Sequence, residues 1–259
     1  MLKETFYIDG VDSRNFGIYL QKPIEFSEAI PVVERQSIPG RNGDLIFETG
    51  SYENRTATAS CFCLQNDVEK ALSAAGRFLM SKHGYRRLET SYDPDHFWLA
   101  RIKNSPQIMQ RMRMLAPFEI GFDCKPQRFL KSGEEMLVFE AEEGEAGLFG
   151  IEGSLNNSFG FPALPLVTIY ADDSGTQDKV FDFIIRNKET STEKRIIGTV
   201  ESGIIKLDCD THNAYNHNGN QNKNIITYEF PSLLPGENEF AVFGLGIEKV
   251  EFTPRWWEL

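Results

Sequence analysis

The sequence predicts a mainly β protein of two domains with a single helix in the first. Three observations carry this. Aromatic residues make up 12% of the 259 residues, with 20 Phe, and aromatic side chains suit a pleated, half-buried surface. Only one segment repeats its apolar residues at the helical period. The length is large for one ordinary domain, and the charge changes near the middle. Residues 1–131 hold 18 Lys+Arg against 16 Asp+Glu, whereas residues 132–259 hold 9 against 22, giving nets of +2 and −13. With 41% hydrophobic and 25% charged residues, the protein can bury real cores.

The first half opens with strand-like runs, Thr5 to Ile8 and Phe16 to Leu20, punctuated by Gly10 and Gly17. Pro31 to Ile38 leads into Pro39-Gly40-Arg41-Asn42-Gly43, and Leu45-Ile46-Phe47 leads out. Gly and Asn accept positive φ at little cost, so this reads as a hairpin with a basic tip at Arg41. Arg55 to Leu64 alternates with period two, placing Ala57, Ala59, Cys61 and Cys63 on one face. The helix follows. Val68, Leu72, Ala75 and Leu79 form one apolar stripe. Asn66 with Glu69 reads as its capping box and Gly84 as its stop, giving a helix from about Asp67 to Lys82. Strands return at Arg87 to Tyr92, Phe97 to Lys103, Gln107 to Met112 and Phe118 to Cys124, within a basic stretch that has ten Lys/Arg against five Asp/Glu over 82–131.

From Ser132 the texture turns acidic and glycine-rich, with at most one strand at Met136 to Glu140. This sets expected limits of 1–133 for the first domain, 134–160 for a boundary segment and 161–259 for the second domain. The last part reads as about seven short strands: Leu166 to Ala171, Val180 to Arg186, Lys194 to Val200, Gly203 to Asp208, Asn224 to Phe230, Glu239 to Val242 and Lys249 to Phe252. Even spacing and turn residues between them suggest a β-sandwich.

The search for chemistry is negative. The four Cys show no C-x-x-C pair, and three lie in strand-like runs, as buried small apolar residues do. His212 and His217, near Asp208 and Asp210, match no ligand spacing and read as part of a long exposed loop. No nucleophile elbow, P-loop, metalloprotease helix or dinucleotide fingerprint occurs. Catalytic, cofactor-binding and metal residues are therefore all expected to be none. A net charge of −11 argues against gripping nucleic-acid phosphates. No run of about 18 apolar residues is present to cross a membrane, and the opening residues lack a secretory stretch, so synthesis in a cytoplasm is expected.

Local patterns then suggest a family. Phe6-Tyr-Ile-Asp-Gly-Val-Asp-Ser-Arg-Asn-Phe-Gly-Ile-Tyr-Leu20, the hairpin Ile38 to Leu45, and Tyr52-Glu-Asn54 occur in that order in the first half. Phe161-Pro-Ala-Leu-Pro-Leu166, Pro231 to Asn238 and Phe252-Thr-Pro-Arg-Trp-Trp-Glu-Leu259 follow. This ordered set resembles the distal tail protein (Dit) family of siphophages of Gram-positive bacteria. The resemblance implies an N-terminal β-barrel or sandwich domain with one flanking α-helix and a C-terminal galectin-like β-sandwich. It also implies a non-enzymatic homo-hexameric ring at the distal end of the virion's tail. That ring would join the tail tube protein to a tail-associated hub protein and carry receptor-binding proteins, with DNA passing through unbound. A carbohydrate-binding adhesin module is the alternative, and a wall-degrading enzyme would need a catalytic pair that the sequence does not display.

The interface candidates are Arg41 and Asn42 at the hairpin tip, Arg111 and Arg113 in the basic stretch, Tyr215 in the Asn-rich segment, and Trp256. Arginine favours interface ion pairs. If the C-terminal run is a strand, Trp256 and Trp257 face opposite ways, so one is expected in the core and the other against the first domain or a partner.

Overall fold

In the computed structural model, residues 4–65, 67–104, 116–141, 150–172, 179–227 and 229–259 are described. The protein divides into two compact units, residues 1–128 with Leu259, and residues 129–258.

The first unit is one curled sheet closed by a helix. Its strands are β1 (Phe6–Ile8), β2 (Val11–Asp12), β3 (Ile18–Leu20), β4 (Glu25–Phe26), β7 (Arg55–Cys63), β8 (Arg86–Thr90), β9 (Asp93–Asn104) and β10 (Ala116–Leu130), with α1 (Val68–Met80) after β7. They run in the order β2-β1-β8-β9-β10-β7-β3, with β4 also on β7. β5 (Pro31–Gln36) and β6 (Leu45–Tyr52) form a separate two-stranded sheet. The expected barrel is an open half-barrel, since the path of the sheet runs from β2 at one edge to β3 at the other.

Period two sets the inward face. Ala57, Ala59, Cys61 and Cys63 of β7 are buried, as are Ile120, Phe122 and Cys124 of β10. The helical stripe Val68, Leu72, Ala75 and Leu79 is buried in the same core. Each large apolar side chain removed from water contributes roughly 1.5–3 kcal/mol.

The helix ends differ from expectation. Asp67, not Asn66, is the N-cap, its carboxylate accepting from the Lys70 N–H at 3.0 Å; Asn66 lies outside the described residues. The helix stops at Met80, before Gly84, because a tertiary contact takes over its last carbonyls. Arg86, only 5% exposed, donates to Phe78 O at 3.1 Å and Leu79 O at 3.2 Å. Its Nε reaches Asp9 at 2.9 Å, and its guanidinium lies over the Phe78 ring. Burial pushes the Asp9 carboxyl up, but Arg86, the Arg87 N–H and Lys82 outweigh it and hold the group below 3.8.

The second unit is a sandwich of two sheets. One runs β11 (Leu137–Glu140), β20 (Ile247–Thr253), β13 (Leu166–Ala171), β16 (Ile204–Asp208), β17 (Asn213–Asn216), β18 (Gly219–Asn220). The other runs β12 (Ile151–Asn157), β19 (Gly236–Phe243), β14 (Lys179–Asn187), β15 (Glu193–Val200). Phe181, Phe183, Phe240 and Phe252 meet between them, Phe240 and Phe252 with centroids 4.6 Å apart. A short strand, β21 (Trp257–Glu258), lies at the C-terminal end.

Three sequence expectations are corrected here. The segment 134–160 is not only a boundary, because β11 and β12 within it pair with β20 and β19. Gly153 serves packing: a Cβ there would lie 2.7 Å from the Phe139 ring and 2.8 Å from that of Phe240. The Asn-rich stretch is not a long exposed loop but holds β17 and β18, with Ala214 and Gln221 buried. Side-chain amides, which both donate and accept, replace backbone partners there. Asn222 accepts from the Ala214 N–H, Gln221 donates to Asn216 at 3.1 Å, and Asn224 donates to Gln221 at 2.9 Å. Nor do the described residues of Asn224 to Phe230 form a strand. The segment crosses the edge of β15 with Thr227 Oγ1 accepting from the Ile197 N–H and donating to Arg195 O, a side chain doing what a ladder partner would. Gln107 to Met112 lies outside the described residues.

Two expectations follow. Leu72→Ala should cost roughly 2–5 kcal/mol in a denaturant melt, since it opens a cavity under the helix; a loss below about 1 kcal/mol would contradict the burial of that stripe. All four cysteines are buried, and burial pushes the thiols up, to about 12 for Cys61 and about 12 for Cys124. A thiol-reactive disulfide reagent at mildly alkaline pH should therefore find almost no thiolate in the native protein and all four cysteines after unfolding.

Candidate interaction surface

The surface is built from the β5–β6 hairpin. Pro39 and Gly40 open its tip with a tight turn, the Arg41 N–H donating to Ile38 O at 3.1 Å and Gly40 at φ 81°. A Pro followed by a Gly at positive φ is what a type II turn demands. Gly43 at φ 80° turns the backbone back. Arg41 and Asn42 are exposed there, and no ion pair holds Arg41 among the described residues.

The ribbon has no buried face. Cross-strand pairs alternate between its sides, Glu34 with Phe47 and Arg35 with Ile46. Both apolar members are exposed, Ile46 at 58% and Phe47 at 52%, and Ile30 before the ribbon is 56% exposed. A lone two-stranded hairpin is marginal in water, and exposed apolar side chains on both faces fit a segment that becomes covered. Sequence reading passes over Ile46 and Phe47, although a signal is there. Three consecutive apolar residues in a strand put apolar groups on both faces, which a sheet with one wet side cannot bury.

The other candidates lie elsewhere. Arg111 and Arg113 fall outside the described residues. Much of the basic stretch is matched internally: Arg86 with Asp9, Arg87 with Glu89, Arg101 with Asp123, Arg128 with Asp93. Tyr215 sits half-buried on β17 opposite Lys206 and Asn220. Trp256 and Trp257 correct the expectation of one core and one outward ring. Both are half-buried against the second unit's own core, Trp257 stacked on Phe161 at 4.6 Å with its Nε1 donating to Pro162 O, and Trp256 6.2 Å from Phe159. Arg255 sets this up. It sits at φ 59°, its N–H donates to Gly133 O at 2.7 Å, and its guanidinium donates to Asp208 at 2.6 Å. The turn comes just before β21, and both rings pack back on the second unit's core.

An open cleft of about 470 Å³ lies on the first unit, walled by Phe26 stacked on Trp98, with Tyr92, Arg55, Asp93 and Arg128 around it. Arg128 is tied to Asp93, which also lies 2.7 Å from His96 Nδ1. Among the described residues no three His, Cys, Asp or Glu side chains converge as metal ligands would.

Comparison of the sequence with protein-family models and with curated proteins finds no match. Solved structures do match. The crystal structure of phage SPP1 Dit, described as a paradigm of the hub adsorption apparatus in phages infecting Gram-positive bacteria, superposes with a TM-score of 0.66 at 14% identity. The match spans 96% of this protein and 97% of that one. The activated baseplate of phage p2 matches with TM-scores of 0.53 in its strontium form and 0.52 in its calcium form, at 10% and 9% identity. The matched share is 96% of both proteins in the first and 97% of both in the second. The fold is therefore Dit-like from end to end, as the ordered sequence patterns implied.

The Arg255–Asp208 pair can be tested by pH. Burial pushes the Asp208 carboxyl up, but the Arg255 hydrogen bond and charge, with the Asp210 N–H, outweigh it and hold the group below 3.8. A carboxylate whose folded pKa is depressed stabilises the fold at neutral pH and loses that contribution as pH falls from about 4 through the folded value. Asp208→Asn should cost about 1.5–3 kcal/mol at neutral pH, with the gap to the parent protein closing on acidification. A gap that stays constant in melts across that range would refute the assignment.

Proposed function

We propose that this protein is a structural component of a phage tail tip, a hexameric ring that links the tail tube to a tail-associated hub protein and carries receptor-binding proteins at its periphery. The observation that carries the reading is the end-to-end match to SPP1 Dit, which spans 96% of this protein and 97% of that one at a TM-score of 0.66. The reading is non-enzymatic and places the protein at the distal end of the virion's tail, made in the host cytoplasm.

The hairpin supports the ring. It presents Ile46 and Phe47 on opposite faces and Arg41 at its tip. Closing a ring covers such a ribbon between two copies and gives Arg41 carboxylates within reach, a pairing worth more once water is excluded. The charge step fits the same arrangement. A first half of net +2 can pack against copies of itself, whereas six faces of net −13 are better placed outward. DNA then passes through a ring that need not hold it.

The sugar-binding alternative gains no observation of its own. Its two tryptophans pack on Phe159 and Phe161, and the Asn-rich segment is hydrogen-bonded within itself.

Light scattering and electron microscopy of the purified protein, alone and with tail tube and hub proteins, should show rings of six. Phe47→Asp and Arg41→Glu should weaken ring formation while shifting stability by no more than about 0.5 kcal/mol, as exposed substitutions do. A protein that stays monomeric with every tail partner would sink the reading. Normal rings from both variants would remove the hairpin from it.

A further inference from the structure

The sequence contains two Asn-Gly dipeptides, Asn42-Gly43 at the hairpin tip and Asn218-Gly219 where β17 turns into β18. An asparagine followed by glycine can modify itself, because glycine has no Cβ to hinder its own backbone nitrogen from approaching Cγ of the preceding asparagine. The reaction needs that nitrogen free of structural hydrogen bonds, an asparagine side chain free to turn, and open space around both.

The two sites differ on every count. At the tip, Asn42 and Gly43 are exposed, and a Cβ built on Gly43 meets nothing within 4 Å. Among the described residues, neither the Asn42 amide nor the Gly43 N–H makes a hydrogen bond. At the other site, Gly219 is paired with Asn216 in the β17–β18 ladder. The Asn218 N–H donates to Asn216 Oδ1 at 2.8 Å, and its side-chain amide donates to Ser202 Oγ at 3.4 Å.

We propose that Asn42 is a site of spontaneous deamidation, which converts its neutral amide at the hairpin tip into a carboxylate, and that the fold protects Asn218 from the same reaction. The Gly43 nitrogen gives up its proton to water and bonds to Asn42 Cγ. The Asn42 Cγ–Nδ2 bond breaks, ammonia leaves, and a five-membered succinimide remains. Water then adds to one of its two carbonyls. Attack at Cγ gives aspartate, and attack at the backbone carbonyl gives isoaspartate, whose backbone runs through one extra carbon. The balance is one ammonia lost and one water gained, with one new negative charge beside Arg41 and no oxidant or cofactor consumed. If the ring reading holds, this charge would oppose an Arg41 contact to a neighbour's carboxylate; the chemical step does not depend on that reading.

The full-length protein, incubated at mildly alkaline pH and digested with trypsin, gives separate peptides for the two sites, one beginning at Asn42. Mass spectrometry should show the Asn42 peptide gaining one mass unit at least ten times faster than the Asn218 peptide. On the undigested protein, an isoaspartyl methyltransferase should label the Asn42 site, and both sites should react when the protein is held unfolded in urea. Gly43→Ala should slow conversion at Asn42 severalfold by crowding the attacking nitrogen. Equal rates at the two sites in the folded protein, no conversion at Asn42, or an unchanged rate in Gly43→Ala would each overturn the proposal.

Discussion

In the first unit, the sheet and the α-helix α1 are joined through one buried guanidinium. Arg86 opens β8, reaches under the end of α1 to bond two of its last carbonyls, and meets the Asp9 carboxylate between β1 and β2. Helix C-termini leave carbonyls unsatisfied, and the partial negative charge there favours a cation. One side chain thus caps the helix, positions the apolar stripe over the sheet and fixes the β1–β2 turn. An arginine this deeply buried is tolerable only while its partners remain. The Val68–Leu79 stripe and the inward face of β7 pack in the same core.

The hairpin obeys the opposite logic. It has regular pairing, a well-formed tip and no core of its own, so its order in the isolated protein rests on backbone hydrogen bonds and a few cross-strand contacts. Those contacts are worth tenths of a kcal/mol each. In the proposed ring, a neighbouring copy would supply the missing apolar cover. The sandwich shows the contrast: its phenylalanines are interlocked between sheets, and its edges are occupied by the Thr227 hydroxyl, side-chain amides and short strands.

Cations are paired with carboxylates in both units, but the two halves of the sequence leave different net charges. In the second, lysines and arginines bridge carboxylates, as when Lys188 lies between Glu237 and Glu239 or Arg195 pairs with Asp182. With 9 cations against 22 anions over residues 132–259, such pairing still leaves a solvated acidic surface. Exposed pairs of this kind add little stability; their effect is on which surfaces tolerate one another.

Local physics is legible in the sequence. The alternation of β7, the stripe of α1, the tip at Arg41 and most strands of the sandwich follow from periods of two and 3.6 and from the few residues that accept positive φ. The end-to-end order of short patterns carries the fold family. Tertiary structure decides what depends on partners distant in sequence. Arg86 ends the helix before Gly84, Arg255 and Asp208 fold the two tryptophans inward, Thr227 stands in for a strand, and amides knit the Asn-rich segment. Most of these are polar side chains whose partners lie well beyond the neighbouring residues that pattern reading can see. The exposure of Ile46 and Phe47 belongs to the same class, because whether an apolar strand is covered depends on what the rest of the fold leaves bare.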